Sequence, residues 1–250
     1  MAKTPVIEVL FPEFGNLAGD NGNAEYLERC LPAARFIRTP SQDEPAFAKE
    51  DVDLIVMSNM TETQQERALE RLRPHAQRLA ELADAGVPML FTGAAAEVMG
   101  ESFQTIDGRE LAGLGLFAFA HEQNMPKRYL SAFAGSFEPK AGAAAIPIVG
   151  FHAQFTQLAG DNSGCYFAKG ERGWGINEGT QLDGFVRGGA IATTLLGPLL
   201  PTNPDFCAWL IERVCKEKLP LAFEEVARRA FQARWAELTN PAVAGKEIEF

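Results

Sequence analysis

The stretch "VPMLFTGAAAEVMG", residues 87–100, is an apolar run that breaks onto small residues and continues with helical composition. Hydrolytic enzymes use such a strand-turn-helix elbow to lift a nucleophile clear of the sheet, where a neighbouring base can reach it. The apex here falls at Gly93, which has no side chain to attack with. The other residues that carry chemistry are scattered. Cys30, Cys165, Cys207 and Cys215 form no C-x-x-C pair, and the three histidines lie away from them. Neither a zinc site nor a disulfide framework is indicated, and no cofactor is implied. Cys207 and Cys215 share helical spacing with Leu210, Ile211 and Val214 and read as buried thiols. Cys165, in "GDNSGC", and His152 could form a displaced thiol-imidazole pair, although nothing in their spacing requires contact. His75 and His121 read as ordinary surface or capping histidines. Asp20, Glu25 and Glu28 cluster near an N-terminal loop, where Glu25 and Glu28, three residues apart, read as a solvated helix face.

The elements that must position these groups follow an α/β pattern. "PVIEVLF" reads as a buried strand running into "EFGNLAGDNGN", a glycine-rich loop, and then a short helix, "AEYLERCL". "VDLIVMS", residues 52–58, is a second strand, apolar almost throughout and so expected to be covered on both faces. Residues 61–86 predict a helix with a capping box of Thr63 and Glu66, a leucine stripe, a break at Pro74 and a stop at Gly86. The elbow strand "VPMLF" comes next, with a short helix around residues 95–99. This alternation implies parallel strands joined by right-handed crossovers. "YLSAFAGSF" and "AIPIVGFHAQF" alternate like strands of a partly antiparallel sheet. "TNPDFCAWLIERVCKE" restarts helix with Asn203 as cap and Pro204 at its first position. The last helix is expected to pack through Phe223, Val226, Ala230 and Phe231. No repeat or linker divides residues 1–250, so a single domain is expected.

Composition narrows the partners. The 250 residues carry a formal charge of −10, with 46% hydrophobic and 22% charged residues, values ordinary for a folded chain. No dense run of Lys and Arg appears, which argues against nucleic acid and against an anionic membrane surface. Residues 141–160 are uncharged, but Pro147, His152, Gln154 and Gln157 interrupt them, so no membrane span is expected. The opening "MAKTPVIEVLF" has no signal-peptide pattern, and a cytoplasmic location is expected.

Three stretches together resemble the GatD group of class I glutamine amidotransferases, relatives of the CobB/CobQ amidases. They are "LFPEFGNLAGDNGN", with Asn16, Gly19, Asp20, Gly22 and Asn23 in a Gly-Asp-x-Gly-Asn loop; the elbow; and "GWGIN" with "DGFVRGGAIATTLLGPLLPTNP" after it. The resemblance implies an α/β, flavodoxin-like fold with a central, mostly parallel sheet flanked by helices. It also implies a heterodimer in which the glutaminase feeds ammonia to a Mur-ligase-like partner, MurT, that amidates a peptidoglycan precursor. That chemistry needs an elbow cysteine, a histidine and an oxyanion hole of backbone N–H groups. Here the family's Cys-Gly-Gly is Gly93-Ala94-Ala95, and the histidine of its Leu-His-Gly-Pro is Leu196. The oxyanion loop reads Ser58-Asn59-Met60, and Gly-Phe-Glu-Asn-His survives only as "GFHAQ".

Losing the nucleophile alone costs on the order of a million-fold in turnover, so glutaminase activity by the family mechanism is not expected. The resemblance supports three readings. The chain is a degenerate subunit that docks a Mur-ligase-like enzyme; or it binds a small, glutamine-like molecule in a pocket widened by Gly93, Ala94 and Ala95 and made more apolar by Leu196; or it is an active amidotransferase with a relocated thiol. The kept loops either shape an interface or pocket, or persist because the fold needs them.

Overall fold

The computed structural model describes residues 3–125 and 127–242. In chain order the strands are β1 (Val6–Leu10), β2 (Arg35–Thr39), β3 (Leu54–Met57), β4 (Met89–Thr92), β5 (Ser102–Gln104), β6 (Glu110–Ala112) and β7 (Ala120–Gln123). They continue with β8 (Tyr129–Phe137), β9 (Ile146–Gln154), β10 (Thr156–Ala159), β11 (Ala168–Arg172), β12 (Leu182–Asp183), β13 (Phe185–Arg187) and β14 (Ala190–Thr193). The helices are α1 (Gly22–Cys30), α2 (Glu62–Leu72), α3 (Ala76–Asp84), α4 (Ala94–Glu97), α5 (Leu199–Thr202), α6 (Pro204–Cys215) and α7 (Glu224–Leu238).

Six strands form the central sheet in the order β13-β14-β4-β3-β1-β2, parallel except for the edge strand β13, which runs antiparallel to β14. β3 is buried along its whole length because both faces of the sheet are covered. Ile55 and Met57 pack against Leu69, Leu72 and Leu79 of α2 and α3. Leu54 and Val56 point the other way, toward Leu27 of α1 and Leu210 and Ile211 of α6. Pro74 falls in a 3-10 turn, Arg73–His75, that separates α2 from α3, and Gly86 closes the pair at φ 83°. The capping box is formed by Thr61 and Gln64, not by Thr63 and Glu66. Thr63 already lies inside the first turn, and Glu66 faces outward to pair with Arg109 at 2.9 Å.

The middle of the chain adds two four-stranded sheets, β10-β7-β5-β6 and β12-β11-β8-β9. β8 and β9 pair antiparallel over nine residues, from Tyr129 opposite Gln154 to Phe137 opposite Ile146. One face of this ribbon, with Phe133, Phe137 and Ile148, joins Phe206 in the core; the other, with Ala132, Ala134 and Val149, lies under α7. The packing side of α7 differs from the sequence expectation. Phe223 precedes the helix at φ 53° and is 70% exposed, Val226 is 58% exposed, and Ala230 is exposed too. The contact is made by Phe231, Trp235 and Leu238, spaced by four and three residues, which fit large rings against the alanine-lined face.

Asn203 occupies the cap position of α6 with Pro204 behind it, but its side chain makes no cap. It accepts the Val149 N–H at 2.7 Å and donates to the carbonyls of Val149 and Leu199 at 2.8 and 2.9 Å. Asn203 therefore pins β9 to α5, at 1% exposure. Asn203→Ala strands the Val149 N–H and C=O, and buried groups left unpaired cost about 1–3 kcal/mol each. Urea unfolding should show a loss of about 3 kcal/mol, against less than about 1 kcal/mol for Arg228→Ala, which breaks only exposed ion pairs with Asp205 and Glu224.

Candidate functional site

β4 ends at Thr92, and the chain turns through Gly93 at φ 57°, ψ −135° into α4. Glycine takes this conformation without steric cost; a β-carbon strains it. The turn is fixed by the Gly93 N–H, which donates to the Thr193 carbonyl at 2.9 Å. The elbow geometry is thus present without a nucleophile. A Cβ built on Gly93 lies 2.6 Å from Asn59 Cγ and 2.7 Å from Leu196 Cδ2, closer than folded chains tolerate. The position of that β-carbon is thus taken by the ends of the Asn59 and Leu196 side chains. Leu196 is held there by its own backbone, whose N–H and C=O pair with Phe151 of β9 at 2.9 and 3.2 Å.

Asn59 is held by its backbone and its side chain together. Its Oδ1 accepts the Ala94 N–H at 2.8 Å, the amide at the position after the apex, which an acyl-transfer enzyme offers to an oxyanion. Its carbonyl accepts the Leu17 N–H at 3.2 Å, and its own N–H donates to Asp20 Oδ2 at 3.0 Å. Asp20 is 1% exposed and also accepts from the Thr92 hydroxyl and from Asn23 Nδ2 at 2.9 Å. Asn23 passes the connection on, its Oδ1 accepting the Leu200 N–H at 2.8 Å. Gly22 sits where the same segments meet: a Cβ there falls 2.6 Å from Pro198 Cγ. Asp20 is thus a structural hub and not a member of an exposed acidic cluster; Glu28, by contrast, faces Arg38 at the surface.

Of the residues expected at a pocket, Asn59, Met60, Gly93, Ala94 and Leu196 line one cavity of about 220 Å³. Ser58 and Ala95 are buried outside its lining. Of the loop residues, Asp20, Gly22 and Asn23 join the network, Gly19 turns at φ 74°, and Asn16 stays exposed. The cavity also takes in Glu97, Arg128 and Thr156, which the motifs do not single out, and Gln154 and Thr194 from the motif stretches. Glu97 does leave a signal, as the lone charge in "AAAEVM" four residues from the apex. Among the described residues, no cysteine or histidine lines the cavity.

No protein-family model matches the chain, and no curated protein matches it. Among solved structures, one titled as the crystal structure of a glutamine amidotransferase aligns with a TM-score of 0.52 and 16% identity, covering 83% of this chain and 98% of that one. The chain has a glutamine amidotransferase-like fold. Among the described residues of this amidotransferase-like fold, no helix is long and apolar enough to cross a membrane.

Two buried carboxylates flank the elbow of the amidotransferase-like fold. Glu97 accepts from Gln65 Nε2 at 2.6 Å and from the Thr156 hydroxyl, with His121 Nε2 3.7 Å away. Asp183 accepts from the hydroxyls of Thr193 and Thr194. Burial pushes both carboxyl groups up to about 7, and burial pushes His121 and His152 down to about 3. Both carboxyl-imidazole approaches are therefore contacts of neutral groups between about pH 3 and about pH 7. His121, expected at the surface, is buried and stacked on Phe103 at 4.8 Å. His75 is half-buried, edge-on to Phe47.

Among the described residues, the Thr194 hydroxyl stands between an imidazole and a carboxylate. Its oxygen lies 3.0 Å from His152 Nδ1 and 3.2 Å from Asp183 Oδ1. His152 stacks on Trp174 at 4.4 Å and makes no hydrogen bond with Cys165, whose thiol burial pushes up. Cys207 is buried as expected, whereas Cys215 is half-buried.

The raised carboxyl groups set a pH dependence. Unfolded Glu and Asp release their protons near about pH 4, while folded Glu97 and Asp183 keep theirs to about 7. Their contribution to stability is complete below about pH 4 and falls as pH rises through about 7, by at most about 1.4 kcal/mol per pH unit per group. Urea midpoints measured from about pH 5 to about pH 7.5 should decline, and Glu97→Gln should flatten the decline; an unaltered slope would mean that Glu97 ionises normally.

Proposed function

We propose that this chain is a GatD-like amidotransferase subunit without glutaminase activity, acting as the non-catalytic partner of a Mur-ligase-like enzyme that amidates a peptidoglycan precursor. The observation that carries the loss of activity is the filled elbow. Asn59 and Leu196 take the volume a nucleophile's side chain would need, and Asn59 consumes the Ala94 N–H that would meet the oxyanion. Restoring the thiol does not by itself restore the reaction, because among the described residues no histidine lines the cavity and the Ala94 N–H is already bound to Asn59. The partner is proposed from the resemblance of the loops and the closing segment. Asp20, Asn23 and Asn203 are spent on internal hydrogen bonds, so the fold alone accounts for their presence, and docking falls to the exposed surface.

Gly93→Cys should therefore hydrolyse no glutamine and should lose about 1–3 kcal/mol of stability, the cost of overpacking a filled site; measurable glutaminase in this variant contradicts the reading. Affinity capture of the tagged chain from its native host should recover a Mur-ligase-like protein reproducibly. Repeated recovery of other proteins without one would remove the partnership while leaving the elbow result untouched.

A further inference from the structure

A second cavity, of about 990 Å³, lies on the outer face of the β8-β9 ribbon at the C-terminal end of α7. On that face cross-strand pairs succeed one another every two residues. Ala134 and Val149 are fully covered, together with Leu238 from the last turn of the helix. The next two pairs, Ala132 with Phe151 and Leu130 with Ala153, lie past the end of α7 at Leu238 and are half-buried among the described residues. They floor the cavity together with Phe155.

Two arginines, Arg128 and Arg234, also line it. Arg128 lies over the Phe155 ring at 4.6 Å, and neither arginine makes an ion pair among the described residues. Among the described residues Glu237 is the only carboxylate on the lining, and it stands outside ion-pair range of both. In a chain of net charge −10, this cavity alone of those at the elbow and on the ribbon combines an apolar floor with a surplus of positive charge.

We infer that this cavity binds a single-chain amphiphile with an anionic head group, a carboxylate or a phosphate. The arginines supply planar, charge-assisted hydrogen bonds to the head, and the apolar floor takes the chain out of water. The part of the ribbon face that the described residues leave half-buried beyond the end of α7 is thereby covered.

Titration calorimetry on the full chain tests this with dodecanoate and dodecyl phosphate below their micelle concentrations, dodecyltrimethylammonium as the cationic counterpart, and phosphatidylglycerol vesicles. The expected result is saturable 1:1 binding of both anions and none of the cation. Arg128→Gln with Arg234→Gln should weaken binding at least tenfold, and Ala132→Trp, which fills the floor, should abolish it. If Ala132→Trp does not fold, the arginine pair decides alone. Undiminished binding in the arginine variant, equal binding of the cation, binding of vesicles without the monomeric anions, or no binding at all would overturn the inference.

Discussion

The elbow depends on one buried carboxylate. Asp20 leaves water almost completely, and burial raises its pKa while the hydrogen bonds from Thr92, Asn59 and Asn23 oppose that rise. Its three donors come from the end of β4, the loop after β3 and the start of α1. A buried carboxyl group is tolerable only when it is satisfied in this way, and each partner is then held as firmly as the acid itself. Through Asn23 the same group reaches α5, so the first loop and the closing segment are tied together under the carboxyl ends of the strands.

The consequence for function is a separation between frame and reacting atoms. The tight turn at Gly93, its tether to Thr193 and the parallel strands around it form the frame of a glutamine amidotransferase-like fold. In the proposed inactive subunit, groups that satisfy one another stand where the attacking, proton-moving and oxyanion-holding atoms would be. Asn59 is the clearest case, because its carboxamide does for the Ala94 N–H what a substrate oxygen would do in a working enzyme. A self-satisfied donor has no free energy left to give to a transition state.

The parts legible in the sequence are those set by local rules. The apolar run of β3, the break at Pro74 and the glycine at the elbow apex each reflect a constraint acting within a few residues. The capping box lies two positions from where the sequence pattern puts it, because Thr61 and Thr63 offer the same chemistry and only the start of the helix chooses between them. The side of α7 that packs is not legible locally, because it is chosen by the alanines of a distant ribbon and not by the helix's own apolar spacing. The filling of the elbow is invisible for a related reason. Asn59 and Gly93 are 34 residues apart in the chain, and nothing in "SNM" says which way its amide will point.

The most direct measurement of this arrangement is amide hydrogen exchange at Ala94, read residue by residue in the intact protein. A hydrogen bond closed by Asn59 predicts strong protection of the Ala94 N–H, lost selectively in Asn59→Gly while the neighbouring β4 amides keep theirs. A fast-exchanging Ala94 in the unmodified chain would mean that the donor stands open to a ligand, and the account of a self-occupied elbow would be wrong.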